Sequence, residues 1–194
     1  VAEHPLSEPY LADTDVVGMW LFLATEILFF GALFFVYLVF HHLYPLSMEE
    51  GAKRTDLAFG SINAGLLVTS SLAMSVGIAR PRWMRRAFAA SGLLGLAFLT
   101  VKGLEYAQDF QEGLFPGPHF VAVTAQAGPE QIFFIFYFIA TALHSLHMVV
   151  GLGLILYAMR GKGSPMVVAL YWSFVDIVWI CLYPLLYLVG RGGG

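Results

Sequence analysis

The sequence predicts an all-α, polytopic membrane protein, a bundle of five transmembrane helices, and three features point there. Of the 194 residues, 59% are apolar and 12% charged, against roughly half and a quarter in a soluble domain. The mean hydropathy of +0.76 is more than an aqueous core of this size can hide. Five stretches each reach the roughly 20 apolar residues that a helix needs to cross a hydrocarbon core about 30 Å thick.

The spans are expected at 16–40, 57–79, 87–108, 132–159 and 166–189. Asp13 and Asp15 precede the first, and residues 1–15 lack the basic stretch of a secretory signal, so they read as a cytoplasmic N-terminal segment before a retained span. Arg80-Pro81-Arg82 closes the second span. The third and fourth are joined by the longest linker, 109–131, which carries Gly113-Leu-Phe-Pro-Gly-Pro118. Gly128-Pro129-Glu130 opens the fourth span and Gly163-Ser164-Pro165 the fifth; residues 191–194 are left as a tail of a single membrane domain, 16–190. Ser61 with Gly65, Ser91 with Gly95, and the pair Gly151 and Gly153 are small residues at which helices are expected to approach closely.

Five spans put the two ends of the domain on opposite sides. Six basic residues (Arg80, Arg82, Arg85, Arg86, Arg160, Lys162) fall on the N-terminal side and three (Lys53, Arg54, Arg191) on the other. The positive-inside rule then sets the N-terminus in the cytoplasm and the C-terminus outside. A net charge of -3 supplies no cationic field for nucleic acid. The lone Cys181 excludes an intrachain disulfide and a cysteine-based zinc or iron–sulfur site. No internal repeat supports an inverted-repeat transporter.

Ionisable residues inside spans carry the functional information, since each costs about 2.5 to 3.5 kcal/mol at mid-membrane. There are four: Glu26, Lys102, Glu105 and Asp176. Glu26 shares a helix face with Phe22, Phe29 and Phe30, surroundings in which a neutral carboxyl costs less than a carboxylate. It either bonds a neighbouring helix or works directly on protons or a ligand. Lys102 and Glu105, three residues apart, can pair as a clasp. Asp176 lies at a depth similar to Glu26, so the two carboxyls either face one cavity or serve separate contacts. Trp172 and Trp179 flank Asp176 one heptad apart and could wall a groove around it. His144 and His147 form a His-x-x-His step in the fourth span, while His4, His41, His42 and His119 lie at or beyond span ends. Two histidines without a helical carboxylate make a poor zinc or iron site, so no metal is expected here.

Several blocks, in order along nearly the whole chain after residue 15, resemble subunit III of the haem-copper terminal oxidases in its shorter five-span bacterial form. They are Trp20-Leu-Phe-Leu-Ala-Thr-Glu26-Ile-Leu-Phe-Phe30; Asn63 followed by Leu66-Leu67-Val-Thr-Ser-Ser71; Lys102-Gly-Leu-Glu105-Tyr106; His144-Ser-Leu-His147-Met-Val-Val-Gly151; and Tyr171-Trp172-Ser173-Phe174-Val175-Asp176-Ile-Val-Trp179. The sequence departs from the family pattern at Ala64, where threonine is common, Ser145, often glycine, and Ser173, usually histidine.

The resemblance implies an accessory subunit of a proton-pumping oxidase in the bacterial inner membrane, with no catalytic residue, haem or copper of its own. It implies haem and copper in partner subunits I and II, bound phospholipid in a cleft beside the first helix, and a role in sustaining proton uptake. A larger respiratory supercomplex is a further expected setting. Glu26 corresponds to the family's buried glutamate; Asn63, His144, His147 and Asp176 correspond to its polar interior. The alternatives are the accessory protein of a nitric oxide reductase, a stand-alone proton-linked transporter using Glu26 and Asp176, and a small b-type haem protein using His144 and His147.

Overall fold

The computed structural model describes residues 8–118, 120–122, 127–189 and 191. His119, the first seven residues and the last three of the tail lie outside the described residues. Six α-helices are described: α1 (Glu8–Leu43), α2 (Pro45–Arg54), α3 (Leu57–Ala79), α4 (Met84–Gln111), α5 (Ala127–Met159) and α6 (Pro165–Tyr183). All except α2 are long and apolar enough to cross a membrane, and no strand occurs among the described residues.

The helices outrun the expected apolar spans because helix and span end for different reasons. Lipid sets the length of the apolar run, whereas the helix continues until a residue breaks it. α1 therefore starts at Glu8, inside the expected N-terminal segment, and α4 continues past residue 108 to Gln111, which keeps Asp109 on the helix. α2 occupies what the sequence left as a link. Pro45 starts it, Met48 and Ala52 are buried, and Gly51 lies so close to α5 that a Cβ there would come 2.7 Å from the Phe133 ring.

Local chemistry places the ends. The Asp56 carboxylate caps α3 by accepting from the Ala58 amide at 2.7 Å. Arg80, before a proline, leaves the helical region, and a 3₁₀ turn over Pro81–Trp83 leads into α4. Gly161 and Gly163 take φ of 76° and 73° in the turn between α5 and α6, a backbone that other residues adopt at a cost. Pro184 has no N–H to offer, and the chain widens there into a π-helical turn over Pro184–Leu188.

α6 is the central element, packing against α1, α3 and α5, while α3 lies along α4. The Trp172 indole fills the middle. A Cβ at Gly95 would come 2.6 Å from its ring and one at Gly151 would come 3.0 Å from it, so these two glycines form the slot that admits it. Gly65 and Gly153 differ from the sequence expectation: a Cβ on either would meet nothing within 4 Å. Both lie on helix faces turned away from the bundle. α1 is peripheral, and Leu21, Leu28 and Phe35, at intervals of seven, form one stripe at 67%, 75% and 67% exposure.

Candidate functional site

Towards the α2 end of the bundle, α4 carries Lys102, Glu105 and Asp109 on one buried face, three and four residues apart. The Lys102 ammonium donates to Glu105 Oε2 at 3.0 Å, Tyr137 Oη at 2.9 Å and Tyr187 Oη at 2.8 Å, which uses all three of its hydrogens. Tyr187 donates to Glu105 Oε1 at 2.7 Å. The Tyr137 oxygen is 2.8 Å from Glu105 Oε1 and 2.9 Å from Asp109 Oδ2. One phenol hydrogen serves one of those carboxyls at a time. The ammonium also lies 4.3 Å from the Tyr137 ring centroid and 5.7 Å from that of Trp179. α4, α5 and the π-helical turn are thereby joined through one buried ionic network.

Glu26 and His147 meet across α1 and α5. Glu26 Oε2 lies 3.2 Å from His147 Nε2, and His147 Nδ1 lies 2.8 Å from the Leu143 carbonyl. Phe30 presents its ring edge-on to the imidazole with centroids 5.4 Å apart, and both members of the pair are half-buried.

Asp176 is elsewhere. Its side chain is buried in the bundle interior, with the Ser71 hydroxyl beside it but outside hydrogen-bonding geometry. The two carboxyls at similar depth thus serve separate environments rather than one cavity. Trp172 donates to Ser70 Oγ at 2.7 Å, and Ser91 donates to the Ser70 carbonyl at 2.9 Å. Trp172 and Trp179 are fully buried packing residues, so they do not wall an open groove. His144 is buried between Phe98 and Trp179, with ring centroids at 5.3 and 5.1 Å. Its two nitrogens, both amide atoms of Asn63 and the Trp179 Nε1 lack hydrogen-bond partners. The two histidines of the His-x-x-His step therefore face different neighbours, and no group of three metal-ligating side chains forms among the described residues.

Reading the sequence picked out Lys102 and Glu105 but missed Asp109, Tyr137 and Tyr187. Asp109 carried a usable signal, four residues after Glu105 and seven after Lys102, on the same helical face. The tyrosines carried none, since an aromatic in a span is ordinarily packing or interface. An apolar groove of about 480 Å³ runs between α1 and α6, lined by Trp20, Leu23, Phe30, Phe174, Ile177 and Cys181 among others.

No family model matches the chain. Curated relatives do. The cytochrome c oxidase subunit 3 of Synechocystis sp. is 28% identical over 91% of this chain and 76% of its own length. The cytochrome bo(3) ubiquinol oxidase subunit 3 of Pseudomonas aeruginosa is 28% identical over 90% of this chain and 85% of its own. The haem-copper oxidase subunit I+III of Aeropyrum pernix is 28% identical over 93% of this chain and 23% of its own length. Five membrane-length helices, charges buried between them and relatives matched over nine-tenths of the sequence agree: along nearly its whole length the chain is similar to subunit 3 of cytochrome c and quinol oxidases.

Proposed function

We propose that this chain is the accessory, non-redox subunit of a haem-copper terminal oxidase, seated against subunit I, with subunit II in the same complex. The observation that carries the reading is the match to subunit 3 proteins of both cytochrome c and quinol oxidases along nearly the whole chain. The Aeropyrum pernix relative, which bears subunits I and III under one name, supports contact with subunit I. The ionisable groups fit a scaffold. Lys102, Glu105 and Asp109 bind helix to helix, and Glu26 ties α1 to α5. The exposed apolar stripe of α1 is then free to meet lipid or a neighbouring subunit. Haem and copper belong to the partner subunits. The groove between α1 and α6 suits the acyl chain of a phospholipid, and the half-buried Glu26–His147 pair lies beside it. The excess of basic residues at the 80–86 and 160–162 turns supports a cytoplasmic N-terminus in a bacterial inner membrane.

The test is extraction of the tagged chain in a mild detergent, followed by mass spectrometry and an absorption spectrum. Co-purification of a haem-bearing subunit I and a copper-bearing subunit II is expected. A chain that emerges alone under gentle extraction, or that retains a haem band by itself, would overturn the reading.

A further inference from the structure

Arg80, Arg82, Arg85 and Arg86 lie within seven residues at the turn between α3 and α4. None of the four pairs with a carboxylate among the described residues. Two of them, Arg80 and Arg86, border a shallow groove of about 570 Å³ whose other walls are Thr69, Leu72, Ala73 and Val76 of α3, Trp83, and Ala87 of α4. Thr69 to Val76 covers two turns of helix, about 10 Å along the span. The Arg86 guanidinium lies 5.1 Å from the centroid of the Trp83 ring, which holds it at the groove mouth. Trp83 itself is 41% exposed, as suits an indole at a membrane interface.

The groove is therefore cationic where the span ends and apolar along the span. Topology alone accounts for arginines in this turn, but it does not account for an apolar trough that begins between two of them. A free phosphate would use only the mouth, and a zwitterionic lipid would bring its own cation to it. We infer that this groove binds an anionic glycerophospholipid, its phosphodiester between Arg80 and Arg86 and one acyl chain along Leu72, Ala73 and Val76. The site lies on α3 and α4, apart from the groove between α1 and α6, and it depends on the helices spanning a membrane but not on the oxidase assignment.

Native mass spectrometry of the tagged protein, purified with whatever accompanies it, tests the site with phosphatidylglycerol and phosphatidylcholine as probes. Wild type is expected to retain phosphatidylglycerol preferentially. Arg80→Gln with Arg86→Gln is expected to weaken that retention about 10- to 30-fold. Arg80→Lys with Arg86→Lys should restore most of it, and Arg160→Gln with Lys162→Gln should leave it unchanged. Equal retention of the two lipids by wild type, unaltered retention in the double glutamine variant, or displacement by equimolar inorganic phosphate would each overturn the site. The haem content of the same samples reports separately on the oxidase assignment.

Discussion

His147 donates through Nδ1 to the Leu143 carbonyl at 2.8 Å, which leaves its Nε2, 3.2 Å from Glu26 Oε2, to share one proton with that carboxyl. A carbonyl accepts and never donates, so the Nδ1 position always carries a hydrogen. The Glu26–His147 contact is then either a carboxylic acid donating to a neutral imidazole or an imidazolium donating to a carboxylate. One proton bridges α1 to α5 in both forms.

Glu26→Gln keeps a donor towards His147, whereas Glu26→Ala leaves the imidazole nitrogen without a partner at a cost of about 1 to 3 kcal/mol. Assembly yield and melting temperature of the purified protein should therefore fall more in the alanine variant than in the glutamine variant. Equal losses would count against the hydrogen-bonded bridge.

Lys102→Met strips the only ammonium from a network of two carboxyls and two phenols. Breaking a buried pair in this way should destabilise by about 3 to 5 kcal/mol. The combined change with Glu105→Gln should cost less than the sum of the two single changes, and a double-mutant cycle on thermal unfolding in detergent reads the difference. Strict additivity would mean that the two side chains do not act on each other.

His144 is buried with both nitrogens unpartnered, so exchanging it for Leu removes a desolvated polar group worth about 1 to 3 kcal/mol and loses some ring packing. The change should be neutral or stabilising, unlike most core substitutions. Combined with His147→Leu, it should leave the haem and copper content of the complex unchanged, as metal analysis per mole of protein would read. Loss of metal from the complex would refute the metal-free reading of these histidines.

Gly95→Ala and Gly65→Ala separate packing from helix propensity. At Gly95 the new methyl would lie 2.6 Å from the buried Trp172 ring, and overpacking of that kind costs about 1 to 3 kcal/mol. At Gly65 it meets nothing, and the helix gains up to about 1 kcal/mol. Opposite shifts in melting temperature are expected; a drop at Gly65 would reveal a neighbour packed on that face in the assembled complex.

The sequence by itself determined the five spans, because bilayer thickness demands a run of apolar residues that nothing else in the chain imitates, and the breaking residues at 80–82 and 163–165 bound those runs. It also singled out Lys102 and Glu105, since a charge inside a span is costly and an opposite charge one turn away offsets it. Helix α2 escaped notice because its burial depends on Phe133 of α5, more than 80 residues on. Only tertiary structure decided that Tyr137 and Tyr187 complete the ionic network, that His147 meets Glu26 while His144 has no hydrogen-bond partner, and that Gly95 and Gly151, not Gly65 and Gly153, admit Trp172. Periodicity places a residue on a face of its own helix. Which helix that face meets depends on how the spans arrange around α6: Tyr137 and Tyr187 reach Lys102, and Glu26 reaches His147, from other spans.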